Sequence, residues 1–542
     1  MKIKRIISVK DLSFENLPVC VAEFIKQVIK KMRYRKKVRA DVAAELIAHF
    51  EDELKECSND EEKEQKAQRL IAEFGDIKLL AVLLRRAKKR CRPLWRTLVA
   101  RGFQTAGLLV LCLIIYIAWF LTGKPAITTN YLEQLNRMVR PTADESLNAA
   151  PLYEKAIELY EASSQTVDKL MWKKYNEAAP EEKQLMETWL ADNKNILDLV
   201  IAGSKKPYYW EEYGNGAYNY EMMSIPLPNP TNFHRLAFPL SRWRVWIRAE
   251  ENRYEDAFDD IKACYRLGQH LKANKTNVEQ MLGIVIENLA IQTLHGIVSE
   301  HKIDSAILAV LQKDFEQMIA DEDFVISFDA EKLFLFDGIQ RCFTEGRFGD
   351  GHLYLGGLEP IMLRGPDRRF VNRLIVPLHI LFTHPDKQQT REMADRLYAF
   401  SDRMVRKTPG QLHSEAIDVE KETDEIVRGN ILLKTLPSSI NMLHDRSYRN
   451  KTDVEAALTI IAILRYNQDT GDYPENLDQL IAAGYLKKLP MDCYSDNKPL
   501  LYKKTESNFT LYSIGRNFKD DGGMVEMWVI DEGDWVFWPV TK

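Results

Sequence analysis

Seven cysteines and ten histidines are scattered through 542 residues, with no HExxH, GxSxG or CxxC spacing among them. Zinc-ribbon, thioredoxin-like, metalloprotease and nucleophile-elbow chemistries each need one of those spacings. His49 lies one helical turn from Glu45 and one from Glu53, so the three share a helix face. With no second histidine nearby, that trio reads as a solvated face rather than a metal site. His234, His270, His295, His301, His352, His379, His384, His413 and His444 are dispersed. His295 sits in an apolar helical pattern and is expected to be a satisfied core residue. "TEGRFGDGHLYLGGLEPIM" is rich in glycine but lacks the strand–glycine–helix context and the Lys-Ser/Thr pair of a phosphate loop. No catalytic, cofactor-binding or metal residue is therefore assigned, and the chain is expected not to be an enzyme.

The elements that would carry a function are easier to read. "TAGLLVLCLIIYIAWFLTG", from Thr105 to Gly123, is free of charge and of proline. Phe103–Gly123 is long enough to cross a hydrocarbon layer of ~30 Å at ~1.5 Å per helical residue. Upstream stand Arg85, Arg86, Lys88, Lys89, Arg90, Arg92, Arg96 and Arg101, whereas downstream only Lys124 precedes Arg137. Lysine and arginine stay on the cytoplasmic side of a span, and Trp95 and Trp119 fall near the expected interfaces. One uncleaved span with a cytoplasmic N-terminus is expected, too far into the chain for a signal peptide. "VNRLIVPLHILFTH" does not compete, being broken by Arg373, Pro377 and His379.

Charge divides at the same place. Residues 1–101 hold 25 lysines and arginines against 15 acids, a net of +10; the remainder carries −14, within a total of −4. The overall balance suggests no nucleic-acid partner. The basic run Arg33–Arg39 suits anionic lipid on the inner leaflet. Of the cysteines, only Cys264, Cys342 and Cys493 follow the apolar stretch, so at most one disulfide could form beyond it.

Residues 17–90 read as three or four short helices. Val19, Phe24, Val28 and Ile29, then Val42, Leu46, Phe50 and Leu54, recur at helical spacing. Ser58 with Glu61 suggests a capping box, Gly75 a helix stop and Asp76 the next cap. Glu45-Leu46, His49-Phe50-Glu51-Asp52, Ala67, Leu70, Phe74-Gly75-Asp76 and Leu80-Ala81 resemble the small helical HAAS-type domain, and the prefix domain of some bacterial permeases. That resemblance covers roughly residues 36–86 and implies regulation or interaction at a membrane. The linker after Glu56 departs from it, lacking the usual Gly-Leu.

Residues 124–445 are dominated by helical periodicity, for example Ile307, Leu308, Leu311, Phe315, Met318 and Ile319 on one stripe. "NVEQMLGIVIENLAIQTLHGIV" is the most apolar of these helices and is expected to be central. "RWRVWIRAEENRYEDAFDDIKACYRLGQHL" resembles one tetratricopeptide helix pair, with Ala257 and Ala263 facing inward. A repeat array needs several copies, so an irregular helical domain is the leading reading and a solenoid the other. The loop 205–230 carries Tyr208, Tyr209, Trp210, Tyr213, Tyr218 and Tyr220, expected to fold over the helical core or else to meet a partner.

From Thr452 a helix, a Gly-Asp turn and a short helix lead into alternating "PLLYKK" and "FTLYSI" and a last strand "DWVFWPV". Tyr466, Gly471, Tyr473-Pro474, Leu489-Pro490, Asp492, Leu511-Tyr512-Ser513-Ile514-Gly515 and Gly522-Gly523 resemble the globular tail of type II secretion major pseudopilins. The resemblance implies a small α+β fold only, because the leader and the membrane half of the pilin helix are missing before Thr452. It also implies that a loop near Asp520 and Asp521, with Asp531 and Asp534 further on, is a place to look for calcium, which takes oxygen ligands.

The expected fold class is mainly α. Residues 1–92 form a small cytoplasmic helical bundle, 103–123 one transmembrane helix, 124–445 an all-helical, irregular or repeat-like outer domain, and 452–542 a small α+β module. The expected function is that of a single-pass bacterial membrane protein for interaction, scaffolding or signalling, without catalysis or cofactor. It would sit in the cytoplasmic membrane, with membrane lipid and an envelope protein as partners and no nucleic acid. The alternatives are an accessory of secretion or transport machinery, or an envelope hydrolase.

Overall fold

The computed structural model describes residues 12–90, 94–120, 122–125, 127–162, 169–216, 221–273, 276–320, 322, 324–346, 349–354, 383–435, 440–496, 498–524 and 533–540. The chain divides into two compact units, Met1–Ala118 and Trp119–Lys542.

In the first unit, α1 (Val19–Lys31), α2 (Lys36–Leu54), α3 (Asp60–Glu73) and α4 (Ile77–Arg90) enclose a core that includes Val21, Ile25, Val28, Val42 and Leu46. Phe24, Phe50 and Phe74 join α1, α2 and the end of α3, with ring centroids 5.6–6.1 Å apart. The caps follow the sequence with one shift. Asn59, rather than Ser58, is the N-cap of α3 and accepts from the Glu62 amide at 2.9 Å, while the Ser58 amide donates to Glu62 Oε2. Gly75 takes φ +69° after α3, a conformation that costs glycine little. Asp76 accepts from the amides of Lys78 and Leu79 and so starts α4.

Helix α5 (Leu94–Phe120) contains the apolar stretch as far as Phe120. Two helices among the described residues are long and apolar enough to cross a membrane: Leu98–Phe120, mean hydropathy 2.1, and Asn277–Glu300, mean hydropathy 1.5. The sequence reading allowed one. They differ in what covers them: 6% of the first is buried in the protein and 67% of the second.

The second unit is built from helices α6 (Tyr131–Val139), α7 (Ala150–Ala162), α8 (Pro180–Asp192), α9 (Lys194–Ser204), α10 (Pro230–Phe238), α11 (Val245–Glu250), α12 (Tyr254–Ala273), α13 (Asn277–Glu300), α14 (Ser305–Met318) and α15 (Asp329–Cys342). After them come α16 (Lys387–Met404), α17 (Pro409–Ser414), α18 (Val419–Ile426), α19 (Ile431–Thr435), α20 (Ile440–Thr470) and α21 (Leu477–Ala482). The region expected to be wholly helical also holds an antiparallel hairpin, β1 (Phe343–Gly346) with β2 (Gly349–Leu353).

The segment likened to a tetratricopeptide pair forms a helical hairpin. A π-helical turn, Pro239–Arg244, runs into α11, Asn252 turns the chain at φ +57°, and α12 follows with Ala257 and Ala263 buried. Arg244 and Arg248 both bind the buried Asp260 across this hairpin, at 2.5–2.8 Å.

The helix expected to begin at Thr452 starts twelve residues earlier, at Ile440. It runs unbroken into the C-terminal module, whose sheet is an antiparallel array of β3 (Leu501–Lys504), β4 (Phe509–Ser513) and β5 (Trp535–Trp538) in that order. One hydrophobic core includes Tyr153, Trp243 and Ile286 together with Ile460, Leu511 and Trp538, so helices and sheet share an interior. Arg449 on α20 stacks over Trp535 at 3.6 Å and bonds Asp453 one turn on, tying helix to sheet.

Candidate functional site

The most chemically loaded part of the second unit is where α12 and α13 cross, and two glycines set it. A β-carbon on Gly268 would stand 2.7 Å from the Gly283 carbonyl oxygen; one on Gly283 would stand 2.5 Å from that of Gly268. The helices run antiparallel, so Gly268 faces Glu287 and Gly283 faces Lys272. This close approach puts the Lys272 ammonium 2.9 Å from Glu287 Oε2, deep in the protein.

Lys272 also pairs with Glu322, which accepts from the Tyr265 hydroxyl at 2.8 Å and from Gln269 at 3.1 Å. From α20, Asn450 donates to Glu287 Oε2 at 2.5 Å. Four separate stretches of chain thus meet in one cluster around this cation, α20 joining it through Glu287. Two carboxylates share it, and the surplus falls on Glu287, which is fully buried. Burial holds the Glu287 carboxyl up at about 8, with Glu322 adding and Lys272 opposing. Burial acts to lower Lys272, but Glu287 and Glu322 overcome it and leave the ammonium raised. Burial therefore favours the protonated form of Glu287, whose Oε1 has no hydrogen-bond partner among the described residues.

Lys272 and Glu322 form part of the wall of a cleft of about 870 Å³. Its remaining cations are Lys205, Lys206 and Arg266; its other acid, Asp314, is already paired with Lys262 at 2.6 Å. Lys206 donates to the Ser146 carbonyl, and neither Lys205 nor Arg266 is in an ion pair among the described residues. A body of net negative charge therefore lines this cleft with cations that have no carboxylate partners among the described residues. Ring and chain contacts shape it. His270 Nε2 lies 2.9 Å from the Lys206 carbonyl, which can only accept, so Nε2 carries the proton and Nδ1 accepts from the Tyr153 hydroxyl at 2.9 Å. Burial pushes His270 down to about 4. It is a neutral strut that fixes the loop carrying Lys205 and Lys206, not an acid or base.

The residues singled out in sequence fall as follows. His49 is exposed and edges onto Phe74 at 5.8 Å, while Glu45 pairs with Lys88. No group of three or more His, Cys, Asp or Glu able to hold a metal occurs among the described residues. In the aromatic loop, Tyr209 packs on Tyr153 and Phe233, the Tyr213 hydroxyl donates to Glu279, and Tyr208 donates to the Asp144 carbonyl. Tyr218 and Tyr220 lie outside the described residues, as do Arg92, Asp531, the segment 355–362 and most of 371–384. His295 is half-buried on α13 but is not satisfied: its Nε2 is shut away from solvent with no hydrogen-bond partner among the described residues, and desolvation pushes it to about 4. Cys264, Cys342 and Cys493 are buried, and burial raises their thiols to about 12, 12 and 11.

Asp520 accepts from the Tyr512 hydroxyl and the Gly522 amide, Asp521 from Asn517, and Asp534 from the Gly523 amide. These bonds hold the turn itself. Sequence alone missed the Lys272–Glu287–Glu322–Asn450 cluster. Its one visible sign was a pair of glutamates, Glu279 and Glu287, inside the most apolar helix of the body. The chain matches no protein-family model, no curated protein and no solved structure.

Proposed function

We propose that this chain is a single-pass membrane-anchored interaction or signalling protein. Its four-helix head faces the cytoplasm, and its larger helical unit lies outside and meets an envelope partner. The carrying observation is α5. Leu108, Leu109, Ile114 and Ile115 are 57–65% exposed along it, and the window Leu98–Phe120 is 6% buried. Each such side chain left in water forgoes roughly 1.5–3 kcal/mol of burial, so a row of them calls for a hydrocarbon phase. The basic flank supports the orientation. The cleft supports a partner that presents acidic groups, since its cations are matched by too few carboxylates among the described residues.

Membrane flotation after alkaline washing tests the anchor. Recovery of the full chain in the lipid-free fraction would sink the proposal. The alternative, an accessory of secretion or transport machinery, draws on the helix-and-three-strand shape of the C-terminal module and on the likeness of the head to a permease prefix. Deleting residues 452–542 without effect on secretion would remove it.

A further inference from the structure

Helix α4 carries a second apolar surface. Leu79 is 60% and Leu83 51% exposed, in a helix whose inner side buries Ala81 and half-buries Ile77, Leu80 and Leu84 against the head's core. Leu79, Leu83, Arg86 and Arg90 are spaced i, i+4, i+7 and i+11, so they form one stripe along the helix. Arg86 and Arg90 are exposed, as are Lys78 and Lys89. Lys88, by contrast, is committed to Glu45. The stripe is therefore two leucines followed by two exposed arginines.

Its place in the chain constrains what can cover it. Arg90 is four residues from Leu94, the start of α5, which limits the separation of their Cα atoms to ~14 Å even with the chain fully extended. If α5 enters the bilayer at Phe103, nine helical residues after Leu94 at ~1.5 Å each, the end of α4 is held within ~28 Å of the point of entry. A helix with an apolar stripe, flanking cations and enforced proximity to a cytoplasmic leaflet has the attributes of an interfacial helix. Leucines enter the acyl boundary while arginines reach lipid phosphates.

We propose that the outer face of α4 is a lipid-docking surface that lays the head on the anionic inner leaflet through Leu79, Leu83, Arg86 and Arg90. This rests on the membrane-anchored reading. Docking fixes the orientation of the four-helix head at the bilayer, and its strength varies with the anionic lipid content of the leaflet.

The test uses the full chain reconstituted into vesicles, with an environment-sensitive fluorescent residue at position 83 and, as control, at the exposed Gln68 of α3. Flotation with the vesicles is checked first; failure there overturns the anchor and not this surface. For inserted protein, the emission at position 83 is expected to shift to the blue when phosphatidylglycerol is added to phosphatidylcholine. The shift should reverse in high salt and be lost with Arg86→Ser together with Arg90→Ser, while position 68 stays unchanged. Equal emission at 83 and 68 in both vesicle types overturns the proposal. So does a shift of the same size in neutral vesicles, or one that grows with protein density and so reports contact between heads.

Discussion

Lys272 serves two buried carboxylates with no second cation beside them among the described residues, so its loss cannot be compensated locally. Replacing it with methionine keeps the packing but takes the ammonium from between Glu287 and Glu322 and leaves Glu322 buried without its cation. A loss of about 3–5 kcal/mol is expected, read as a lower melting temperature by circular dichroism. Glu287→Gln removes a carboxyl that burial already biases towards its neutral form and should cost far less. The same cluster sets a pH dependence. Because Glu287 titrates near 8 when folded, well above the ordinary glutamate value, the folded state holds the extra proton. Its contribution is full below the ordinary glutamate value and is lost progressively as pH rises from there to about 8. His270 and His295, pushed to about 4, act the other way: their contribution is present above the ordinary histidine range and is lost as pH falls towards 4. Stability should therefore peak between those limits, and Glu287→Gln should flatten its fall towards pH 8. An unchanged alkaline slope in that variant would show that Glu287 is not the titrating group. At the cleft, inorganic pyrophosphate should raise the melting temperature of the native chain and do so less for Arg266→Ala. No shift in either would remove the case for an acidic partner group.

At the scale of elements, the crossing of α12 and α13 depends on two missing β-carbons. Gly268→Ala or Gly283→Ala drives a methyl into the facing backbone, which cannot swing aside as a side chain would. A cost of about 1–3 kcal/mol is expected, with the Lys272–Glu287 pair pushed apart. Gly338 is the contrast: it lies inside α15, and a β-carbon there would meet nothing within 4 Å, so Gly338→Ala should stabilise by about 0.5–1 kcal/mol. Melting the three variants side by side separates a glycine needed for close approach from one that is not. This is also where sequence reading reached its limit. The stop at Gly75, the cap at Asp76, the stripe of α14 and the strands of the C-terminal sheet depend on neighbours a few residues away, and the residues announced them. The start of α20 did not show, because polar "RSYRNKTD" looks like a loop. In place, Ser447, Tyr448 and Asn450 are buried and bonded to Phe324, Val405 and Glu287, respectively. The site itself joins residues 272, 287, 322 and 450, and no local pattern encodes a pairing across that separation.

For the whole molecule the question is how many times the chain crosses a bilayer, since α5 and α13 both have the length and composition. The parity of crossings decides where the C-terminal sheet resides. With α5 alone, everything after Gly123 shares one compartment; with α13 as well, residues beyond Glu300 return to the side of the head. Physical cost separates the two. α13 is already covered by protein, with Ile286, Ala290, Leu294 and Ile297 fully or almost fully buried against their neighbours. Moving it into lipid would strip away α12 and α20, part Glu287 from Lys272 and Asn450, and carry Glu279, Glu287 and His295 towards hydrocarbon. A charged residue at mid-bilayer costs ~2.5–3.5 kcal/mol on insertion scales, and the hydrophobic gain is absent because those side chains are already out of water. α5 has no such cover and no ionised side chain between Arg101 and Lys124. Alkaline phosphatase, active only outside the cytoplasm, can be fused after residue 166 and, in a second strain, after Val540. Both fusions should be active, and a fusion ahead of Leu12 inactive. Activity at 166 with none at 540 would mean that α13 crosses too. Activity at neither position, with the chain recovered in the soluble fraction, would mean that α5 is covered by something other than lipid.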